Sequence, residues 1–433
     1  MPNARMVSRL LAVTLLATIP PGCDLSVSNA GPVQDDFLNE DGAHAAVVAG
    51  IELRMIRAIN MLNFFGGEAA KEITQGGRIH PIKLPAEPRQ LDLTEIPDNT
   101  WVESHRARWV AEDGVRRFQE AMEDFASSEL AAQALLYAGY ANRALGENMC
   151  EAVIDGGAIE PRTAHLERAE AHFTEAMSVA TAAGRTDLVM AAQAGRASVR
   201  LFLGDNAGAQ ADAAAIPIDF VFQARFDQAE TNNNNWIRYI SSNTPYRAHS
   251  VEKTYYEAYY PETGDPRVAW TTDPDVPTAE FSQVRWLIQM KHPDLDSPVN
   301  LSSGREMVLI RAEVALREGA WQEALALLNS LRQGLSSDHS GEPLALWMAT
   351  NEEEAWTALK RERGIELWLE TRRLGDLWRW VDEGTPGDME DVTNLIRLCF
   401  PVGNAERRTN ANVPLDHESP TNPLFTGLRR DYN

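Results

Sequence analysis

One pattern returns at a fixed interval of 115 residues, and it limits the fold more than any other feature of the chain. Arg196, Ala197, Val199, Leu201, Gly204 and Ala209 are matched by Arg311, Ala312, Val314, Leu316, Gly319 and Ala324. Each copy reads as a helix, a tight glycine turn and a second helix. In the later copy Ala324, Leu327, Leu328 and Leu331 share one face of the second helix. Such a hairpin cannot bury its apolar stripe alone and must stack on neighbours, as tetratricopeptide-type units do. Further helices carry the same stripe. Between Thr163 and Gly184 it is Leu166, Ala169, Phe173, Ala176, Met177 and Ala180. Between Asp187 and Gly204 it is Leu188, Ala192, Gly195, Val199 and Phe202. Asp187 is placed to cap the start of that helix and Gly204 to end it. A helix is also expected over about 42–64, and another from Asn99 or Thr100. The fold class is therefore mostly α, with helical hairpins over about 129–216 and 305–334. The residues between the two repeat copies are too many for a continuous array, so something is inserted there.

That insert, about 217–303, has another character. Helical periodicity fades and prolines recur at 245, 261, 266, 274, 277, 293 and 298, the composition of loops with short helices or strands. It is also rich in aromatic rings. Flat rings with a polar edge, flanked by amides, suit a ligand that presents both apolar faces and hydroxyls. The candidate ligand residues are Trp236, Tyr239, Tyr255, Tyr256, Tyr259 and Trp270, with Asn234 and Asn235 as hydrogen-bonding neighbours. The competing reading is that these rings pack the insert onto the helices. Trp101, Trp109, Trp368, Trp378 and Trp380 lie in helical or C-terminal framework.

The N-terminus reads as an export signal. Arg5 and Arg9 precede a short apolar run, Leu10 to Ile19, and Gly22-Cys23 follows. Residues 1–22 are expected to be cleaved, Cys23 to be lipidated, and 23–40 to act as a tether to a single domain over 41–433. Pro20 stands where such signals usually carry a branched apolar residue. Cleavage removes two arginines and no acid, taking the charge from −23 to −25. A balance of that sign disfavours nucleic acid as a partner. Cys150 and Cys399 either pair or stay as two buried thiols; an exported chain permits both.

No nucleophile elbow, phosphate-binding loop, H-E-x-x-H or C-x-x-C motif is present, so no catalytic residue, metal or cofactor is assigned. His165 and His172 are spaced too widely to share an ion on one helix. Asn232–Asn235 lacks the carboxylates of a calcium loop and reads as a flexible polar loop. Near the C-terminus, Thr350 and Glu353 form an expected capping box. The helix it opens is expected to run through Arg373 to a turn at Gly375-Asp376. Arg363–Glu366 and Glu370–Arg373 are possible pairs at i,i+3. Glu362, Glu366 and Glu370 recur at i+4, where like charges on an exposed face repel, so their partners are expected on other elements. An exported hydrolase would instead keep Glu362 or Glu366 in an open cleft.

The order Glu362, Arg363, Glu366, Leu367, Glu370, Arg372, Asp376, Leu377, Arg379 closely resembles the C-terminal signature of the SusD/RagB family. So do Met307 to Glu313 with Ala324, Asn329 and Arg332, and Cys399-Phe400-Pro401-Val402 with Glu406 and Asn410. Residues 129–216 resemble the family's helical repeats, and Cys23 fits its lipoprotein N-terminus. The resemblance implies a SusD-like fold with its signature over 350–433. It implies a non-enzymatic lipoprotein on the outer-membrane surface that captures oligosaccharide, or sometimes peptide. It also implies a TonB-dependent SusC-type transporter as partner. The alternative is a helical-repeat scaffold that binds a protein and no small ligand.

Overall fold

The computed structural model describes residues 35–76, 95–280, 282–389 and 398–420. The expected signal and Cys23 lie outside the described residues. Six helices come first: α1 (His44–Ala69), α2 (Glu95–Ala121), α3 (Glu129–Asn148), α4 (Thr163–Ala182), α5 (Thr186–Leu203) and α6 (Asn206–Ala214). After the insert with its short helix α7 (Tyr255–Thr263) come α8 (Gly304–Arg317), α9 (Trp321–Arg332), α10 (Glu352–Glu366), α11 (Arg373–Asp382) and α12 (Asn404–Thr409).

Close helix approach explains the packing of the first half. Phe173 of α4 is fully buried. A Cβ at Gly139 of α3 would stand 2.6 Å from its ring, and one at Gly195 of α5 would stand 2.4 Å away. Only glycine at both positions lets the ring fill the space between three helices. Gly204 (φ 80°) and Gly319 (φ 77°) close the two repeat hairpins in the left-handed region that favours glycine. The two hairpins then pack on each other. Ala194, Ala197, Leu201 and Ala209 of the first meet Met307, Ile310 and Val314 of the second in one apolar cluster. The 115-residue interval is thus closed in space, and the insert loops out from the seam.

The insert carries short antiparallel pairs. They are β1 (Thr74–Gln75) with β5 (His249–Ser250), β4 (Val221–Ala224) with β8 (Val299–Ser303), and β6 (Trp270–Thr272) with β7 (Leu287–Gln289). A further hairpin, β2 (Glu151–Val153) with β3 (Ile159–Pro161), follows α3. Cys150 and Cys399 form a disulfide that ties the end of α3 to the late segment.

Several local expectations shift. α1 continues to Ala69, and α2 begins at Glu95, ahead of Asn99. Asp187 does not cap α5; it pairs with Arg185 at 2.6 Å. The cap of α10 is Asn351, which accepts from the Glu354 N–H, while Glu354 takes the Thr350 N–H at 2.6 Å. The box is displaced by one residue. α10 also stops at Glu366 instead of continuing to Arg373, and Gly375-Asp376 lies inside α11. Leu369 (φ 55°) and Thr371 (φ 66°) turn into the left-handed region between them. Contacts from elsewhere pin that break. Glu72 accepts from the Leu369 N–H at 3.0 Å, and Asn63 and His292 hold the Leu369 carbonyl at 2.7 and 3.2 Å. Tertiary contacts override helix propensity here.

Candidate ligand-binding surface

The surface is built on a buried charge cluster. Glu362 of α10 is fully buried. It accepts from Arg267 of the insert at 2.5 Å, Arg332 of α9 at 3.0 Å and the Trp347 indole N–H at 2.7 Å. Arg267 also reaches Glu366 at 2.8 Å and Asp265 at 2.7 Å. Burial alone would raise the Glu366 carboxyl, but Arg305 and Arg267 hold it down to about 2. Arg363 pairs with Asp376 and Lys291 with Glu370, so the i,i+3 pairs read from sequence are replaced by pairs to other elements. The acids do have their partners elsewhere in the fold. With Glu362 and Glu366 both ion-paired out of solvent, this cluster offers no open carboxylate pair for hydrolysis.

Four half-buried rings stand over this cluster. Trp347 lies beside the Arg332 guanidinium, 5.0 Å from its ring centre. Tyr255 stacks on Tyr259 at 5.1 Å, with Arg361 6.0 Å from its ring. Trp270 anchors its indole N–H on the Tyr256 carbonyl at 3.0 Å and meets the edge of Tyr260 at 6.0 Å. Exposed His339 tilts against Tyr260 at 4.9 Å. Tyr255, Trp270 and Trp347 rest on one small apolar cluster that includes Val268, Ile365 and Trp368. Rings from α7, from β6 and from the loop before α10 are thereby gathered on one support.

The eight predicted residues divide. Tyr255 and Trp270 belong to this platform. Trp236 and Tyr239 pack instead against the main helical core, Trp236 edge-on to Phe64 and Tyr239 against Tyr246. Tyr256 and Tyr259 are buried. The Tyr256 hydroxyl donates to the Gly364 carbonyl at 2.8 Å. The Tyr259 hydroxyl donates to Asp265 at 3.2 Å, and burial followed by that carboxylate pushes the phenol up to about 12. Asn234 and Asn235 are buried as well. Asn234 donates to the Asp227 carbonyl, and Asn235 donates to the Ser297 carbonyl and accepts from the Ile237 N–H. These four act as framework in the structure, because their polar atoms are already spent on the fold. The asparagine run is accordingly half anchored in the core, not a loose loop.

Tyr260, His339 and Trp347 join the candidate surface without being singled out by the sequence. The missing signal was helical phase. Read as loop, the tyrosines of 255–260 cannot be sorted; read as α7, Tyr256 and Tyr259, three apart, share the inward face. Trp347 lies beyond the insert, and nothing local joins it to α7. Among the described residues no group of three His, Cys, Asp or Glu side chains is placed to hold a metal ion. His165 is held down to about 3 by burial, and its Nδ1 lies 3.2 Å from Asn142.

The mostly helical scaffold that carries this surface has the fold of SusD-like proteins. Surface glycan-binding protein A from Bacteroides thetaiotaomicron superposes with a TM-score of 0.63 at 13% identity, over 89% of this chain and 100% of that one. A SusD-like carbohydrate binding protein from Bacteroides vulgatus gives 0.60 at 12%, over 89% and 99%. A SusD/RagB family protein from Bacteroides thetaiotaomicron gives 0.61 at 14%, over 83% and 94%. Residues 305–422 match the model of the SusD family. No curated protein sequence matches this one. The chain has the SusD-like fold, and its residues 305–422 carry the SusD family match.

Proposed function

We propose that this protein binds glycans at the cell surface, captures them as nutrient and passes them to a TonB-dependent transporter of SusC type, itself held to the outer membrane by lipid on Cys23. The observation that carries the reading is the platform of Tyr255, Tyr260, Trp270 and Trp347. Half-buried rings with fixed orientation offer flat apolar faces to sugar C–H groups while their edges stay wet. Their support is pre-formed, so little ordering opposes binding. Two of the structural relatives are glycan- or carbohydrate-binding proteins by name, which supports the ligand class. No described helix is long and apolar enough to cross a membrane, and the lipid supplies the attachment in this reading. A glycan array on the mature protein, followed by titration of each hit against Trp270→Ala and Trp347→Ala, tests it. Loss of a stacking ring is expected to weaken binding by roughly tenfold or more. Equal affinity in both variants refutes the platform, and an array without any glycan hit refutes the ligand class.

A further inference from the structure

A second concave site lies elsewhere on the scaffold. It is a cavity of about 500 Å³ walled by the start of β2, by β3, the first turn of α4, the end of α5, α11 and the late segment at Pro420. None of these elements contributes a ring to the aromatic platform. The volume falls within the range of small-ligand pockets, roughly 300–1,000 Å³. One wall is apolar, made of Trp378 and Phe202 with Ile159, Pro161 and Leu166. Arg162 holds the Trp378 indole in place, its guanidinium 5.3 Å from the ring centre. That guanidinium is itself fixed by donating to the Gly146 and Glu147 carbonyls at 2.8 Å each.

The polar groups of the lining divide into spent and unspent. Glu151 is taken by His417 at 2.8 Å, and Glu383 by Arg317. Arg379 is taken by Glu313 and Asp376. Glu160 and Asp382 line the same cavity, are exposed, and have no hydrogen-bond or ion-pair partner among the described residues. Nη1 of Arg162 is buried and likewise has no partner among them. The unspent set is thus two carboxylates and one guanidinium N–H, beside an oriented indole.

Charge selects the ligand class. A polyanion meets Glu160, Asp382 and Glu383. A compact cation meets Arg162 and Arg379. A neutral polyhydroxylated ring fits both sides: its hydroxyls donate to carboxylates and accept from the guanidinium, and its C–H face covers an indole. We infer that the cavity bounded by Trp378, Arg162, Glu160 and Asp382 is a second saccharide-binding site with room for one or two neutral sugar rings. The inference deepens the glycan-binding reading and rests on it for the ligand class.

The test uses the mature protein and four neutral disaccharides: maltose, cellobiose, xylobiose and mannobiose. Saturation-transfer NMR detects binding and calorimetry measures it. The pocket variant is Glu160→Gln with Asp382→Asn, two exposed positions whose exchange leaves the core untouched; Trp378→Ala is the second. The platform variants are Trp270→Ala and Trp347→Ala. At least one disaccharide is expected to bind, with affinity falling roughly tenfold or more in the pocket variants, because each exchange removes a charged hydrogen-bond acceptor or the stacking face. Binding that persists unchanged in the pocket variants and disappears in the platform variants overturns the second site and leaves the platform standing. Binding lost only in the pocket variants supports the second site and removes the platform. No binding of any disaccharide overturns the second site.

Discussion

Replacing Glu72 with Gln should make the protein more stable, and by an amount that depends on pH. Glu72 lies between α1 and β1, almost fully buried, where its carboxylate accepts from the Leu369 N–H at 3.0 Å. Burial raises its pKa from an ordinary 4.5 to about 7, with Glu370 adding to the rise and the Leu369 N–H, Arg373 and Lys291 opposing it. The folded state therefore binds more protons than the unfolded state between about pH 4.5 and 7. Stability contributed by this group falls as pH rises through that window and levels off above it. At about 1.4 kcal/mol per pH unit, the ionised carboxylate costs about 3 kcal/mol at pH 8.5 and below 1 kcal/mol at pH 5. Glutamine keeps the acceptor for Leu369 and carries no charge. Urea denaturation of both proteins at pH 5 and pH 8.5 should show the gain from Glu72→Gln growing by about 2–3 kcal/mol between the two. A gain that is equal at both values, or a loss at pH 8.5, refutes the argument that an ionisable carboxyl is held here against its charge.

Three further outcomes can be checked by denaturation. The double change Cys150→Ser and Cys399→Ser opens a link between residues 249 apart and should cost about 2–5 kcal/mol, read as a shift in urea midpoint that reductant reproduces in the native chain. Gly195→Ala places a Cβ 2.4 Å from the Phe173 ring and should cost about 1–3 kcal/mol; an unchanged melting temperature would mean that the three helices have slack. Glu362→Gln weakens the charged hydrogen bonds that Arg267 and Arg332 share while both keep Asp265 beside them, and should cost about 1.5–3 kcal/mol, along with altered Trp347 fluorescence.

The helical part of this fold was legible because its determinants are local. Phe173 and Gly195 fall on their faces by simple period, and Gly204 and Gly319 mark turns that need a left-handed residue. The insert was not, because its strands are two to five residues long and pair across long intervals, Thr74 with Ser250 and Val221 with Ser303. Such strands leave no periodic trace. The break after Glu366 was illegible for the same reason: Asn63, Glu72 and His292, which impose it, lie far away in sequence. At the candidate surface the ring types were visible and their directions were not. Tyr256 and Tyr259 share one aromatic run with Tyr255, and only the phase of α7 separates inward from outward.

The chain is strongly acidic, yet Glu306, Glu313, Glu362, Glu370 and Asp376 are all buried, four of them facing arginines. Arg143 and Arg372 both reach Glu147 and Glu306, joining α3 and α8 to the turn before α11. Arg379 joins α11 to Glu313 of α8. Buried ion pairs of this kind add little net stability over apolar packing, but they fix geometry, because breaking one strands a charge. Glu362 extends the same logic outward: it holds Arg267 and Trp347 at once, so two sides of the aromatic platform hang from one carboxylate. The platform is thus oriented from inside the scaffold as well as by contacts within the insert. It follows that loss of the Trp270 ring should change glycan affinity more than stability, whereas loss of Glu362 should change both, and that contrast separates a pre-formed binding face from one that a ligand must organise.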